Sequence, residues 1–276
     1  MFNRKIKIGI AFGGGGTRGF SHLGAIKAFE EFGLKFDFVA GTSAGSLAGA
    51  FYAAGYNYNQ MYNIIKNLKE KDIRKNVIPF TTSKADGIGD VIIQNLGDIN
   101  IEDLKTPFAA VAVDIKSTKE VAIARGNLAK AVMGSCAVPA VFQPVIFDDM
   151  ILSDGGLQNT IPADVPKMFG CDYVIAVDVN KSRTYGTDST KFLDVVTCAI
   201  RILMKSNAVR GYVNADVMIA PETKRFKSTK TEGFDEMIEE GYKAAIDVMP
   251  QIMEIFARKK KNKKQFIPSD DIKIIR

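Results

Sequence analysis

Three short runs bring together residue types able to do chemistry. The first, Gly13-Gly14-Gly15-Gly16-Thr17-Arg18-Gly19, follows an alternating apolar run and fits G-x-G-x-x-G at Gly14, Gly16 and Gly19. Glycines there permit positive φ and expose backbone N–H groups at the start of a helix, a setting that suits an anion. A phosphate is one such anion; an oxyanion developing on a carbonyl is another. A dinucleotide site also needs an acidic residue closing the second strand, about 20 residues on. Asp37 has the distance, but it precedes the strand Phe38-Val39-Ala40, which runs out into Gly41-Thr42-Ser43 instead. The cofactor reading fails there.

The second run, Gly41-Thr42-Ser43-Ala44-Gly45, is a G-x-S-x-G between a short strand and a helix of small residues. A sharp strand–turn–helix bend needs glycine at its flanks and holds the serine hydroxyl out above the sheet. The N–H of Ala44 would then help stabilise negative charge. The alternative is an ordinary N-cap serine whose neighbouring glycines pack closely. A nucleophilic serine needs a base, and His22 is the one histidine of the chain. It lies three residues past the glycine loop, where packing or a local hydrogen bond is its simpler role. A carboxylate acting directly is the other option, and the third run offers one: Ser153-Asp154-Gly155-Gly156, just after Ile151-Leu152. An aspartate at a strand end before two glycines can project into a cleft, although Asp-Gly is also a common hairpin turn.

In this order and spacing the three runs resemble the patatin-like phospholipase family: a glycine-rich G-G-G-x-R-G loop, then G-x-S-x-G, then D-G-G. The segment Ser135-Cys136-Ala137-Val138-Pro139-Ala140-Val141-Phe142-Gln143-Pro144-Val145 is also similar to the family's approach to its D-G-G. So are His22-Leu23-Gly24 and the strand at 173–179, and the likeness spans about residues 5–180. It implies a Ser-Asp dyad acyl hydrolase, with Ser43 as nucleophile and Asp154 as general base. Gly14, Gly15, Gly16, Thr17, Arg18 and Gly19 would supply the oxyanion hole together with Ala44, and Gly41, Gly45, Gly155 and Gly156 would support the motifs. Arg18 could hold a lipid phosphate or brace its loop. The implied substrate is a lipid or other acyl ester, such as a phospholipid or lysophospholipid, with no cofactor and no metal. A non-catalytic nucleotide- or lipid-binding α/β module is the alternative, but it has no use for Asp154 opposite Ser43.

These runs need a scaffold, and the periodicity supplies one. Lys5 to Phe12 alternates with Ile6, Ile8 and Ile10 on one face, a strand entering the glycine turn. From 20 to 32, Leu23, Ile26, Phe29 and Phe32 recur every third position as one stripe of an amphipathic helix. A short apolar run at 36–40 and helices at 44–54 and 58–70 follow, the last with Met61, Ile64, Ile65 and Leu68 inward. Strands at 108–113 and 120–124 flank the turn Lys116-Ser117-Thr118, and a helix spans about 127–135. Two short strands then surround Asp148-Asp149, and 173–179 is an apolar strand suited to the centre of a parallel sheet. Helices at about 190–209 and 232–259, with a strand at 217–220 between them, close the chain. The expected fold is therefore α/β: a three-layer α/β/α sandwich with a mostly parallel central sheet in one domain, 1–257. Residues 72–105, with Asp86-Gly87-Ile88-Gly89-Asp90, are a candidate lid.

Composition narrows the class further. The chain has 276 residues, 46% hydrophobic and 25% charged, as in ordinary globular proteins. Three scattered cysteines and one histidine leave neither a disulfide framework nor a multi-histidine metal site. The net charge is +6, and the run Arg258-Lys259-Lys260-Lys261-Asn262-Lys263-Lys264 carries six positive charges, so the remainder is neutral. Nucleic acid is not an expected partner, because no basic face crosses the fold. The run, in a basic extension at 258–276, reads as solvated chain or as a peripheral contact with an anionic membrane. Residues 38–65 carry no charge, enough to span a bilayer. Their glycines and asparagines instead suit a helix lying close on a sheet. No leader segment is visible, and the expected location is cytoplasmic, with peripheral membrane contact.

Overall fold

Ile8, Ile10 and Phe12 point to one side of β1 (Ile8–Phe12) and Ala11 to the other, and this alternation decides which helices pack where. The computed structural model describes residues 6–67, 85–182, 186–226, 233–258 and 272–276. Among the described residues nine strands form one sheet, hydrogen-bonded in the sequence β5 (Val145–Phe147), β6 (Met150–Asp154), β3 (Phe108–Asp114), β2 (Phe38–Thr42), β1, β7 (Tyr173–Val177) and β8 (Val217–Ile219). β4 (Lys119–Ile123) pairs with β3, and β9 (Ile272–Ile275) pairs with β4. β2, β1, β7 and β8 are parallel to their neighbours, as are β2 with β3 and β4 with β9. Among the described strands, the β3–β4, β3–β6 and β5–β6 pairs are antiparallel. Every residue of β1, β2, β3 and β7 is buried, as a sheet covered on both faces requires.

The thicker layer packs on the Ile10 side. It holds α1 (Ser21–Glu31), α2 (Ala44–Ala53), α3 (Tyr58–Asn67), α4 (Asp86–Leu96) and α5 (Leu128–Ser135), with α9 (Phe234–Asp247) and α10 (Met249–Ala257) behind them. The thinner layer, on the Ala11 side, holds α6 (Asp164–Met168) and α8 (Val209–Asn214). Between α6 and α8 in the chain comes α7 (Phe192–Ser206), which buries none of its residues. The three-layer α/β/α arrangement is the expected one.

Several boundaries differ from the sequence reading, each for a local reason. α1 is not a one-stripe helix: it is buried nearly all round, and Phe32 lies past its end, 45% exposed. The cause is α9, which packs backbone to backbone on α1 through Gly24 and Gly241; a Cβ on either would overlap a main-chain carbonyl of the other helix. The expected helix at 232–259 is two helices, broken at Val248 because Pro250 starts the second and cannot continue the first. The expected extension at 258–276 ends in β9, whose Ile272, Ile274 and Ile275 extend the sheet beyond β4. The basic positions 259–264 lie outside the described residues. So do residues 72–84 of the candidate lid, while its Asp86-Gly87-Ile88-Gly89-Asp90 opens α4, packed on α5. The charge-free stretch resolves into β2, α2 and the start of α3, and no described helix is long and apolar enough to cross a membrane.

Candidate active site

Topology brings two of the three runs together. Parallel β2 ends with Thr42 opposite Val111 of β3, and antiparallel β6 ends with Asp154 opposite Ala112, the next residue along. Because β4 occupies the other edge of β3 over residues 110–114, β2 and β6 run toward each other on one edge and their ends meet. Ser43 follows the first end; Asp154 closes the second. The glycine loop enters from β1, whose Phe12 is level with Gly41 of β2.

Ser43 stands at φ 53° and ψ −126°, left-handed backbone that a non-glycine residue adopts at a cost of about 1–3 kcal/mol. The surroundings impose it. Its N–H donates to Ser135 Oγ at 2.9 Å, and that hydroxyl donates to Val111 O at 2.6 Å. Its carbonyl accepts from the Ser46 N–H and hydroxyl at 2.8 and 2.7 Å. Thr42 Oγ1 donates to Asn159 O at 2.8 Å, which ties the bend to the chain just after Gly155-Gly156. Gly41 and Gly45 flank the bend because a Cβ on the first would overlap the backbone of Gly45 and Ser46, and on the second the carbonyl of Phe12. Nothing larger than glycine fits.

Asp154 is fully buried. Its N–H donates to Ala137 O at 3.0 Å, and its Oδ1 accepts from Gly156 N–H at 2.8 Å. Oδ2 accepts no well-formed hydrogen bond, and the Ser43 hydroxyl is its side-chain neighbour. Burial pushes the carboxyl up to about 6, against the pull of the Ser43 hydroxyl and the Gly156 N–H, which favour the ionised form. A Cβ on Gly155 would overlap Val111 O, so the D-G-G glycines let this turn lie against β3. Cys136 is also buried here, 3.9 Å from Ser46 Oγ, and burial followed by the nearby Asp154 charge drives its thiol strongly upward. The neutral thiol is no rival nucleophile.

The glycine loop lies on top of Ser43. A Cβ on Gly14 would sit 3.2 Å from Ser43 Cβ, and one on Gly19 would sit 2.6 Å from Ala44 Cβ. The N–H groups of Gly13 and Gly14 donate to Val177 O and Thr160 O, both at 2.9 Å. What Gly14 contributes is therefore close approach, not a donor. Gly15, Gly16 and, across the cleft, Ala44 stand at the first positions of helical turns, where N–H groups have no preceding carbonyl to bond. Arg18 braces the loop: it is 2% exposed and donates to Phe226 O from Nε and Nη2, at 3.0 and 2.8 Å, and to Asn180 Oδ1 at 2.9 Å. Asn180 in turn donates to Gly14 O at 2.6 Å. His22 is fully buried with Nε2 2.8 Å from Gly13 O, and burial lowers its pKa to about 4. A neutral ring with Nε2–H committed to Gly13 is not placed as a base. Asp37, the acid at dinucleotide distance, accepts from Ile8 N–H at 2.9 Å, at the opposite end of β1 from the glycine loop.

Ser43 opens on a cavity of about 500 Å³ between the glycine loop, α2, α3, α4 and α7. Its walls are apolar, with Leu23, Leu47, Phe51, Ile64, Ile65, Ile88 and Val91 among them. Ile64 and Ile65, expected to face inward, do so: they are half-buried, pack against the core and form part of the cavity wall. Among the described residues no three His, Cys, Asp or Glu side chains gather as metal ligands. Sequence reasoning left Ser135, Asn180 and Thr160 without roles. Ser135 opens the segment resembling the family's approach to D-G-G, and that was its one signal; the other two act through register that only the folded sheet creates.

Comparison with known proteins identifies the family and the fold. Residues 10–167 match the family described as patatin-like phospholipase. An uncharacterized NTE family protein of Mycobacterium bovis is 33% identical over 180 residues, covering 64% of this chain and 50% of that protein. Lysophospholipase nte1 of Aspergillus fumigatus is 30% identical over 202 residues, 68% of this chain and 13% of its own length. The chain thus spans half or less of these relatives. Among solved structures, VipD from Legionella pneumophila superposes with a TM-score of 0.62 at 14% identity, covering 90% of this chain and 67% of that one, a likeness of fold.

Proposed function

The chain belongs to the patatin-like phospholipase family, and from that premise we propose that it hydrolyses fatty-acyl esters with Ser43 and Asp154 as a dyad. The observation that carries the proposal is the meeting of a strained, buried serine with a buried carboxylate at the floor of an apolar cavity. Ser43 Oγ attacks the ester carbonyl as its proton passes to Asp154. The carbonyl oxygen becomes an oxyanion facing the N–H groups of Gly15, Gly16 and Ala44, each such donor being worth about 2.7–4 kcal/mol of barrier. The C–O bond then breaks, and the alcohol leaves with the proton from Asp154. Water, deprotonated by Asp154, attacks the acyl-enzyme and releases the fatty acid and Ser43.

A carboxylate raised to about 6 suits a base working near neutrality: ionised at pH 7, yet basic enough to take the proton. The cavity lies within the roughly 300–1,000 Å³ range of small-molecule sites, and its apolar wall fits an acyl chain. Phospholipids and lysophospholipids are the substrate class this reading favours, in line with the name of the fungal relative. Intact mass after treatment with a fluorophosphonate tests it without a choice of substrate. One adduct on the wild type, absent from Ser43→Ala, is expected; no adduct on the wild type, or an adduct surviving Ser43→Ala, overturns it.

A further inference from the structure

Helix α7 is built inside out. Its side chains Phe192, Leu193, Val195, Ile202 and Leu203 are 77%, 58%, 46%, 49% and 63% exposed. Phe192, Val195, Ile202 and Leu203 fall on one helical stripe, spaced i, i+3, i+10 and i+11, and Val209 just beyond is 66% exposed. The opposite side carries Arg201, Met204 and Lys205, and these line the cavity. A soluble helix ordinarily does the reverse. A contiguous apolar surface of this kind marks a site that something else covers.

The charges around the stripe say what. Lys181, Lys191 and Lys205 are exposed, and Arg201 is half-buried at the cavity mouth. The acids nearby are Asp188 and Asp194, the second hydrogen-bonded by the Ser189 hydroxyl, so cations predominate. Asp178, deeper in the wall, accepts from the Tyr212 hydroxyl at 2.7 Å and the Asn180 N–H at 2.8 Å and also faces the charges of Lys181 and Lys205, which leaves the four cations one ahead of the three acids. An apolar stripe edged by lysine and arginine matches the acyl boundary and phosphate layer of an anionic lipid surface.

We propose that α7 is an interfacial helix, docking its apolar stripe on an anionic bilayer and holding the cavity mouth at the lipid–water boundary. A lipid chain then has only to pass around one helix, from the membrane side to the cavity side, to reach Ser43. The purpose of docking rests on the acyl-hydrolase reading, but docking itself needs no turnover.

The chain contains no tryptophan, so Leu203→Trp in a Ser43→Ala background gives a single reporter on the stripe. Ile146→Trp, at a 71% exposed site on β5, is the control. With vesicles of phosphatidylserine and phosphatidylcholine, emission at 203 is expected to move to shorter wavelength while 146 stays unchanged. Pure phosphatidylcholine should give a weaker response, and salt should reduce the response to the mixed vesicles. Phe192→Ser with Leu203→Ser, checked for folding by circular dichroism, should lower vesicle co-sedimentation roughly tenfold or more per side chain removed. No shift at 203, an equal shift at 146, or undiminished sedimentation of the double variant overturns the proposal. So does blue-shifted emission at 203 before vesicles are added, with light scattering separating a dimer from another segment of the chain as the cover. Docking without a fluorophosphonate adduct would sink the hydrolase reading alone; an adduct without docking would sink this one alone.

Discussion

The floor and the rim of the cavity are held in opposite ways. At the floor, Ser43 has its N–H on Ser135, its carbonyl on Ser46, and glycine at each place where a Cβ would collide. At the rim, α7 buries no residue. Its contacts with the body include Met204 against Gly156, the Thr160 hydroxyl on Met204 O at 2.6 Å, and Asn207 Nδ2 on Leu157 O at 2.6 Å. Rigidity is concentrated where a proton and an acyl group would be transferred, and the substrate side is lightly anchored. Reaction geometry tolerates errors of only about 0.5 Å, whereas a wall that admits a long chain gains from weak attachment.

Asp154→Asn tests the floor and carries the largest expected effect. Turnover should fall about 10²- to 10⁴-fold, the usual worth of a general base. Stability should move the other way. A carboxyl raised from 3.8 to about 6 by burial favours the protonated folded state, so its contribution is complete below about 4 and is lost as pH rises through about 6. At pH 7 the ionised group therefore costs about 3 kcal/mol, and the neutral amide should raise the melting temperature at pH 7 but not at pH 4. His22 has the opposite sign. Lowered to about 4, it stabilises above 6.5, and that stability is lost as pH falls through about 4. Removing the Asp154 limb should thus expose a steeper acid-side loss in thermal melts. In the wild type, fluorophosphonate labelling should rise with pH and level off above about 6. A flat labelling profile from pH 4 to 8 would remove Asp154 as the base.

Much of the floor was legible because its constraints are local. Gly41 must be glycine for a contact made within its own bend, Gly45 recurs four residues on where the bend meets Phe12 of β1, and a single histidine already pointed to a carboxylate. Alternation in β1 and the uniformly apolar β7 revealed the parallel centre of the sheet. Long-range register was not legible. That Asp154 sits one residue from Thr42 along β3 depends on β6 running against β2, and no sequence period encodes it. For the same reason Ser135 and Asn180 carried no predicted role. α1 misled because α9 covers the face expected to meet water, and a helix covered on two sides has no single stripe. The expected helix at 190–209 exists as α7, but that its apolar side turns away from the core was not legible from its period.

Ser135→Ala should have an intermediate effect. It leaves both Ser43 N–H and Val111 O without their partner in a buried setting, a loss of about 1–3 kcal/mol in denaturant unfolding. Labelling of Ser43 should also slow, since the N–H is one of the groups holding the left-handed backbone. Unchanged stability with unchanged labelling would mean that the neighbouring glycines and Ser46 fix the bend by themselves.

The smallest effect is expected at the rim, and its smallness is what gives the comparison its force. Leu203→Ser, at a 63% exposed site, should change unfolding free energy by no more than about 0.5 kcal/mol. Leu152→Ala, fully buried on β6 two residues before Asp154, should cost about 2–5 kcal/mol in the same assay. Were Leu203→Ser to cost as much as Leu152→Ala, the stripe would be packed against protein in solution, and the rim would be as firmly held as the floor. A near-zero value would leave the apolar stripe with no role in folding. Its presence would then need a reason from outside the fold, and a surface that binds lipid supplies one.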